Sequence, residues 1–265
     1  MLFDINAATG HWPFRKVPNE DIADLRRLLT GKGITGAAVV HTHGLFYKNC
    51  HDANLELAEA IAAHAGFFVG VATLNPLYAA WEKDLRDCVE RLGMKALRLA
   101  PQYHGYDLSA PQATEILQAA TALHLPVLIP SRLVDVRQRH WMDTERQLSV
   151  EEIGRFSLAV PGSRIVITEG TVSMPELMHA DRTKYPGLYF EISRLRSAYG
   201  QTIAGLADAI GAERLLFGSG APFKEVLPAL LKLEAIACSE EVRARIAYQN
   251  AWELLLNRSA GSASR

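Results

Sequence analysis

The chain has 265 residues, with 28 lysines and arginines against 29 aspartates and glutamates, and its formal net charge is -1. This balance excludes the strongly basic surface that nucleic acids or anionic membranes attract, so we expect a small molecule, or a second copy of the chain, as partner. The length is close to the roughly 250 residues of a single eight-stranded α/β barrel.

Eight short apolar runs rich in β-branched residues recur along the chain, and a stretch with helical periodicity follows each of them. The predicted strands are Leu2–Asn6, Gly36–His41, Phe67–Leu74, Ala96–Ala100, Pro126–Pro130, Arg164–Thr168, Leu188–Ile192 and Arg214–Gly218. The predicted helices are Asn19–Leu29, Asp52–His64, Tyr78–Leu92, Ala113–Leu123, Ser149–Val160, Met174–Ala180, Tyr199–Ile210 and Pro222–Ile236. A ninth helix, Glu240–Leu256, is expected to pack across the outside.

Eight repeated strand–helix units predict an α/β fold, a single (β/α)8 TIM barrel. Runs such as AAVV and RIVI are apolar throughout, which is typical of parallel strands covered on both faces. The alternative is a doubly wound open sheet, but no glycine-rich phosphate loop follows the first predicted strand. We expect the barrel to span residues 1–258 and the small, polar segment Ser259–Arg265 to form a flexible tail.

The three cysteines, Cys50, Cys88 and Cys238, are far apart and show no spacing that would bind structural zinc. The N-terminus lacks the basic and apolar regions of an export signal, and no window reaches the length of a membrane span. A cytoplasmic protein with reduced thiols is the expectation, and it can act alone or as a homo-oligomer.

Function in such a barrel lies at the carboxyl ends of the strands and in the loops that follow them. These segments are crowded with polar side chains, which indicates a polar pocket. The candidate site residues at these positions are His41, His43, Arg98, His104, Arg132, Glu169 and Arg194.

The segment Asp4-Ile-Asn-Ala-Ala-Thr-Gly10 resembles the Asp-x-His-x-His-x-Gly opening of the amidohydrolase-related family. Further similar motifs are Leu74-Asn-Pro76, Pro126-Val-Leu-Ile-Pro130, Arg214-Leu-Leu-Phe-Gly-Ser219 and Asn250-Ala251. Their order along nearly the whole chain makes the resemblance specific. It implies the barrel fold and a hydrolase or lyase that acts on small organic compounds.

The sequence departs from that family at the positions of its metal ligands. Asn6 and Ala8 stand where the first two histidines are expected, and Pro130, Glu169 and Gly220 replace the later ligands or proton shuttle. A catalytic zinc needs about three protein ligands, so we expect no metal cofactor. The alternative is a relocated divalent metal at His41-Thr-His43, with Glu169 or Glu191 completing a two-histidine, one-carboxylate site.

Without a metal, the resemblance implies general-base attack of water on a lactone or similar substrate. Glu169, or a histidine such as His41 or His43, would activate the water. Arginine forks bind carboxylates in two-point contacts, so the expected substrate-binding residues are Arg98, His104, Arg132 and Arg194. The alternatives are a salt bridge between Glu169 and an arginine, and an outward-facing Arg98 paired with a helix carboxylate.

The function expected from these residues is amide or lactone hydrolysis, or decarboxylation, of a small carboxylated compound. A catalytically silent barrel that only binds such a compound is the alternative. A third possibility is a barrel that serves as an assembly surface, because one fold hosts many functions.

Overall fold

The computed structural model describes residues 1–135, 137–143, 146–170, 183–195 and 201–256. Eight parallel strands lie in chain order in one sheet: β1 (Phe3–Thr9), β2 (Gly36–His41), β3 (Phe68–Thr73), β4 (Ala96–Arg98), β5 (Val127–Pro130), β6 (Ile165–Thr168), β7 (Leu188–Glu191) and β8 (Leu215–Leu216). Ile5 N donates to Phe217 O (3.0 Å) and Gly220 N to Asn6 O (2.9 Å), so the last strand meets the first. The predicted (β/α)8 barrel is confirmed.

The described helices lie between the strands and after the last one: α1 (Ile22–Gly31), α2 (Cys50–Ala62), α3 (Trp81–Glu90), α4 (Pro101–His104), α5 (Pro111–Ala122), α6 (Val150–Leu158), α7 (Gln201–Ile210), α8 (Leu227–Ala235), α9 (Glu240–Ala244) and α10 (Asn250–Leu256). A 3₁₀ turn, Thr42–Leu45, follows β2. None of these helices combines the length and the apolar composition that crossing a bilayer requires. The predicted helix Met174–Ala180 and the predicted tail lie outside the described residues.

Side chains that accept backbone hydrogen bonds begin several helices. Asp21 accepts from Ala23 N (2.8 Å) at the start of α1, and Ser149 accepts from Glu152 N (3.1 Å) at the start of α6. Each satisfies one of the amide groups that have no partner inside the helix, which stabilises a helix by about 1 kcal/mol.

The core has two layers because alternate residues of a strand face opposite sides of the sheet. Inside the barrel, Ile5, Val71, Leu128 and Val166 pack together. Outside it, the other strand residues, such as Val39, pack against the helices. Residues at the carboxyl ends of the strands are thereby directed either into the barrel mouth or towards the helices.

The C-terminal helical segment covers one end of the barrel. A π-helical stretch, Arg245–Gln249, separates α9 from α10. In α10, Leu254 and Leu255 join the inward-facing strand residues in one apolar cluster. Arg164, just before β6, donates to Leu254 O (3.4 Å), which locates the helix at the amino ends of the strands. The predicted helix Glu240–Leu256 therefore packs in the outer layer only in its first part, through Ile246 and Ala247, whereas α10 closes the barrel interior.

Candidate active site

Glu169 stands directly after β6 at the barrel mouth, and its backbone lies in the left-handed region with φ of 57°. It is 4% exposed. A non-glycine residue in such a conformation costs on the order of 1–3 kcal/mol and persists only where surrounding contacts hold it. For Glu169, these are the contacts that its carboxylate makes with Asn6, Arg194 and Lys224.

The Glu169 carboxylate is the centre of a buried ion cluster. Arg194 Nε and Lys224 Nζ both contact its Oε2, and Asn6 Nδ2 donates to its Oε1 at 2.7 Å. Burial raises the pKa of Glu169, but the cations of Lys224 and Arg194 outweigh burial and hold the pKa below its usual value. Glu169 is therefore ionised, and the salt bridge with an arginine that the sequence analysis considered is present.

A second buried carboxylate, Glu191 at the end of β7, lies beside the first. It accepts hydrogen bonds from Ser193 Oγ (2.9 Å), Glu169 N (3.1 Å) and Asn6 Nδ2 (3.3 Å). Burial, together with the negative charge of Glu169, raises the pKa of Glu191. The two carboxylates thus have pKa values displaced in opposite directions, an arrangement that is typical of proton-transfer sites.

The positions at which the family resemblance expects metal ligands do not fit a metal ion here. The Asn6 amide donates to the two glutamates, and Ala8 and Pro130 present apolar surface to a small cavity. A side chain at position 220 would overlap Glu169 Oε1 and crowd Lys224, so an aspartate there would require these two side chains to move from their present contact. At position 169, where the family resemblance expects another ligand, the Glu169 carboxylate contacts Arg194 and Lys224.

Arg98 faces into the barrel, where it lines a cavity of about 30 Å³ together with Asn6 and Glu169. Its guanidinium donates to Thr73 Oγ1 (3.0 Å) and to His41 O (2.8 Å), both neutral acceptors. Among the described residues, no carboxylate lies within ion-pair distance of it. Burial lowers the pKa of Arg98 to about 10. Burying a cation is costly unless an anion pairs with it, so a ligand carboxylate that reached this guanidinium would be stabilised.

A larger cleft of about 820 Å³ opens beside this cavity, at the ends of β5, β7 and β8. Its lining includes two acidic residues, Asp135 and Glu225, and six basic ones: Arg15, Arg132, Arg137, Arg194, Lys224 and Lys232. The surplus of positive charge suits an anionic ligand. Two of the predicted substrate-binding residues, Arg132 and Arg194, lie in this cleft.

The structure separates His41 and His43 from the Glu169 cluster. Val40 lines the small cavity, so the neighbouring His41 side chain points to the other side of the sheet, towards Glu56 of α2. There the two imidazoles lie 4.5 Å apart and both approach Glu56. Burial and the neighbouring His43 lower the pKa of His41 to about 4. Neither histidine lines the cavity or the cleft.

His104, at the end of α4, is also apart from the cleft. Its Nε2 lies 2.9 Å from Gly44 O and 3.7 Å from Cys50 Sγ. These contacts connect α4 with the 3₁₀ turn and α2. The structure therefore brings Glu169, Arg194, Arg132 and Arg98 to the mouth and leaves His104 in a neighbouring layer.

Three residues of these clusters received no role in the sequence analysis. Lys224 stood among the polar residues after the last strand, but nothing in the sequence linked it to Glu169. Lys232 in α8 and Glu56 in α2 lie inside helices, whereas the predicted site residues all belong to strands or to the segments that follow strands. One sequence signal could have pointed to Glu56: the pair His41-Thr-His43 is followed by a helix that carries a carboxylate.

The chain is similar to a known protein family and to several solved structures. A family model described as amidohydrolase matches residues 9–256. A search of curated proteins finds no match. Among solved structures, a 2,6-dihydroxybenzoate decarboxylase complexed with 2,6-dihydroxybenzoate is 19% identical, with 96% of this chain and 97% of that chain covered and a TM-score of 0.69.

Two further structures widen the range of activities on this fold. A dihydroxybenzoic acid decarboxylase from Polaromonas sp. JS666, solved with bound manganese and 2-nitroresorcinol, is 19% identical with a TM-score of 0.70, and 97% and 98% of the chains are covered. A candidate 2-pyrone-4,6-dicarboxylic acid hydrolase from Pseudomonas putida is 21% identical with a TM-score of 0.66, and 96% and 97% are covered. At these identities the likeness shows the fold.

The expectation of a protein without a metal cofactor is wrong. The Polaromonas neighbour carries manganese on the same fold, and ligand atoms of His41, His43 and Glu56 lie within 4.8 Å of one another in this chain. The expected third ligands, Glu169 and Glu191, follow or end strands, whereas Glu56 comes from the second turn of α2.

Proposed function

The chain belongs to the amidohydrolase family, and from that membership and its site we propose that it is an enzyme that hydrolyses or decarboxylates a small carboxylated aromatic compound. The observation that carries the proposal is the Glu169 ion cluster. Glu169 lines the small cavity, whereas its partners Arg194 and Lys224 line the basic cleft. A reacting group can therefore meet an ionised carboxylate and two cations at one place.

Substrate binding itself can activate Glu169. Substrate carboxylates entering the cleft compete with Glu169 for Lys224 and Arg194, because guanidinium and ammonium groups bind any carboxylate at short range. Loss of these cations from Oε2 raises the pKa of Glu169 and makes it a stronger base. In lactone hydrolysis Glu169 then takes a proton from water as the water oxygen bonds to the carbonyl carbon. The ring ester bond breaks, and the proton passes to the departing oxygen.

Decarboxylation is the second candidate, and the decarboxylases among the structural neighbours favour it. In that reaction the bond between the ring and the carboxylate breaks, CO₂ leaves, and the ring carbon gains a proton. The Lys224 ammonium is a proton donor at the required place. Arg98 would hold a carboxylate that enters the small cavity.

The test is a panel of pyrone dicarboxylates and hydroxylated benzoates, with ring opening followed by absorbance and CO₂ release followed separately. We expect turnover of at least one member by the wild type and a loss of about 10²–10⁴-fold in kcat/KM for Glu169→Gln. Glu151→Gln, which alters an exposed glutamate of α6, should retain wild-type activity. Panel members that raise the Tm without being turned over would instead support the silent binding barrel.

A further inference from the structure

A second cluster of chemistry-bearing side chains lies on the rim of the barrel, between the end of β2 and α2. Glu56 Oε2 is 2.9 Å from His43 Nδ1 and 3.6 Å from His41 Nδ1. The imidazole planes meet at 69°, so the two rings approach the carboxylate from different directions. All three potential ligand atoms lie within 4.8 Å of one another, so small side-chain movements would close them around one ion.

The separations suit the first coordination shell of a transition-metal ion. With metal–ligand bonds of about 2.1 Å, neighbouring ligand atoms lie about 3.0 Å apart in octahedral and about 3.4 Å apart in tetrahedral geometry. The two measured distances to Glu56 Oε2 bracket these values. Two imidazoles and one carboxylate are a donor set that zinc, manganese and iron(II) accept, with coordination positions left open.

The Nδ1 atoms of both imidazoles also make hydrogen bonds that a bound ion would replace: His43 Nδ1 lies 2.9 Å from the Tyr47 hydroxyl, and His41 Nδ1 accepts from His43 N at 3.3 Å. The other oxygen of Glu56, Oε1, accepts a hydrogen bond from the Tyr47 hydroxyl at 2.9 Å, which orients the carboxylate with Oε2 towards the histidines. Such hydrogen bonds to a ligating carboxylate tune metal affinity. The side chains of His43 and Glu56 are 28% and 42% exposed, so a hydrated ion can enter from solvent.

We propose that His41, His43 and Glu56 form a binding site for one divalent transition-metal ion, of the zinc or manganese class, on the outer rim of the barrel. The site is distinct from the positions of Asn6 and Ala8, where the family places its first ligands. A bound ion would tie the 3₁₀ turn after β2 to α2. The proposal does not depend on the proposed activity, because its test follows the metal and the fold rather than turnover.

The experiment treats the purified full-length chain with a chelator, dialyses it, and adds Zn²⁺ or Mn²⁺ alone. We expect about one equivalent of metal per chain by mass spectrometry after excess ion is removed, together with a higher Tm. Mg²⁺ should give neither result, because it prefers oxygen ligands. Cobalt(II) should give a visible absorption spectrum that changes when either imidazole is removed.

Three substitutions at part-exposed positions locate the site. Glu56→Gln and His43→Gln should each weaken metal affinity more than tenfold, and Tyr47→Phe should weaken it about 10-fold while one equivalent still binds at saturation. The control is His51→Gln, which removes another histidine of α2, one that contacts Asp87. Metal-free Tm values for all variants verify folding. Absence of stoichiometric metal in the wild type, or undiminished binding by Glu56→Gln and His43→Gln, would overturn the proposal.

Discussion

The carboxylate of Glu169, just after β6, contacts the ammonium group of Lys224, beyond β8. Arg194, beyond β7, contacts the same oxygen, so one carboxylate joins the ends of three consecutive strand units. All three side chains are mostly buried, at 5%, 21% and 8% exposure. Their charges therefore interact in surroundings where water screens them weakly.

Removing the carboxylate charge should destabilise the fold. Glu169→Gln leaves Lys224 and Arg194 without their counter-ion, and breaking a buried pair in this way costs about 3–5 kcal/mol. We expect a loss of that order in the free energy of unfolding, measured by urea denaturation. The double variant Glu169→Gln with Lys224→Met should recover part of it. Equal stability of Glu169→Gln and wild type would contradict a compact ion cluster.

Arg98 provides the opposite case, because no carboxylate of the described residues lies within ion-pair distance of its guanidinium. Arg98→Met removes a buried charge and two hydrogen bonds to neutral oxygens, so we expect an unchanged or higher Tm. Binding of a carboxylated aromatic probe such as isophthalate should weaken about 10–100-fold, because a charge-assisted hydrogen bond contributes about 1.5–3 kcal/mol. Calorimetric titration measures this, and a lower Tm with intact binding would show that Arg98 serves the fold alone.

Gly220 should be more sensitive to alanine than a glycine with the same backbone conformation elsewhere. Its φ is +74°, and an added Cβ would overlap Glu169 Oε1. Gly33 is the matched control, with φ of +77° and open space around it. Gly33→Ala should cost about 1 kcal/mol from backbone strain, and Gly220→Ala roughly 3 kcal/mol or more from strain and overlap together. Equal losses in urea denaturation would refute the close contact.

His104 should make the protein less stable in mild acid. Burial lowers its pKa from 6.5 to about 4, and within the part of the chain that the structure describes, its buried Nδ1 has no acceptor to which a protonated ring could donate. Between pH 6.5 and 4 the unfolded chain therefore binds a proton that the folded chain excludes. His104 should therefore contribute a fall of a few kcal/mol in the free energy of unfolding as pH decreases through this window, while Asp4, whose pKa burial raises to about 7, contributes in the opposite direction.

The control for this effect is a variant that cannot titrate there. His104→Gln keeps an amide donor for Gly44 O and should make Tm fall less than in the wild type as pH decreases from 6.5 to 4, the difference between the two being the contribution of His104. His64→Gln, at a histidine beside Arg26, should retain the wild-type slope. A slope that His104→Gln leaves unchanged would assign the effect to other groups, of which His41 is the first, since its pKa is also lowered to about 4.

The barrel could be predicted from the sequence because each strand and helix carries its own periodicity and turn residues. The prediction of β2 as Gly36–His41 matches the structure residue for residue. The last strand is shorter than the predicted Arg214–Gly218, because Gly220 and Ala221 meet β1 through isolated hydrogen bonds rather than regular pairing. Such irregular pairing depends on side chains distant in sequence.

The site could be predicted only where the strand ends themselves supply the residues. Glu169, Arg194 and Arg98 were found from the rule that barrel strands deliver function at their carboxyl ends. The pairing of Glu169 with Lys224 depends on the directions of loops, which no local pattern specifies. The direction of His41 follows from strand alternation, but its carboxylate partner, Glu56, depends on how α2 packs.

The seam between β1 and β8 has a consequence for synthesis. Ser219 N donates to Asp4 Oδ1 at 3.0 Å across 215 positions of sequence. A nascent chain emerging from the ribosome therefore holds seven strands before the eighth can complete the cylinder. Until then β1 and β7 are free sheet edges, to which strands of other chains can add. Association through these edges competes with closure of the barrel during this interval.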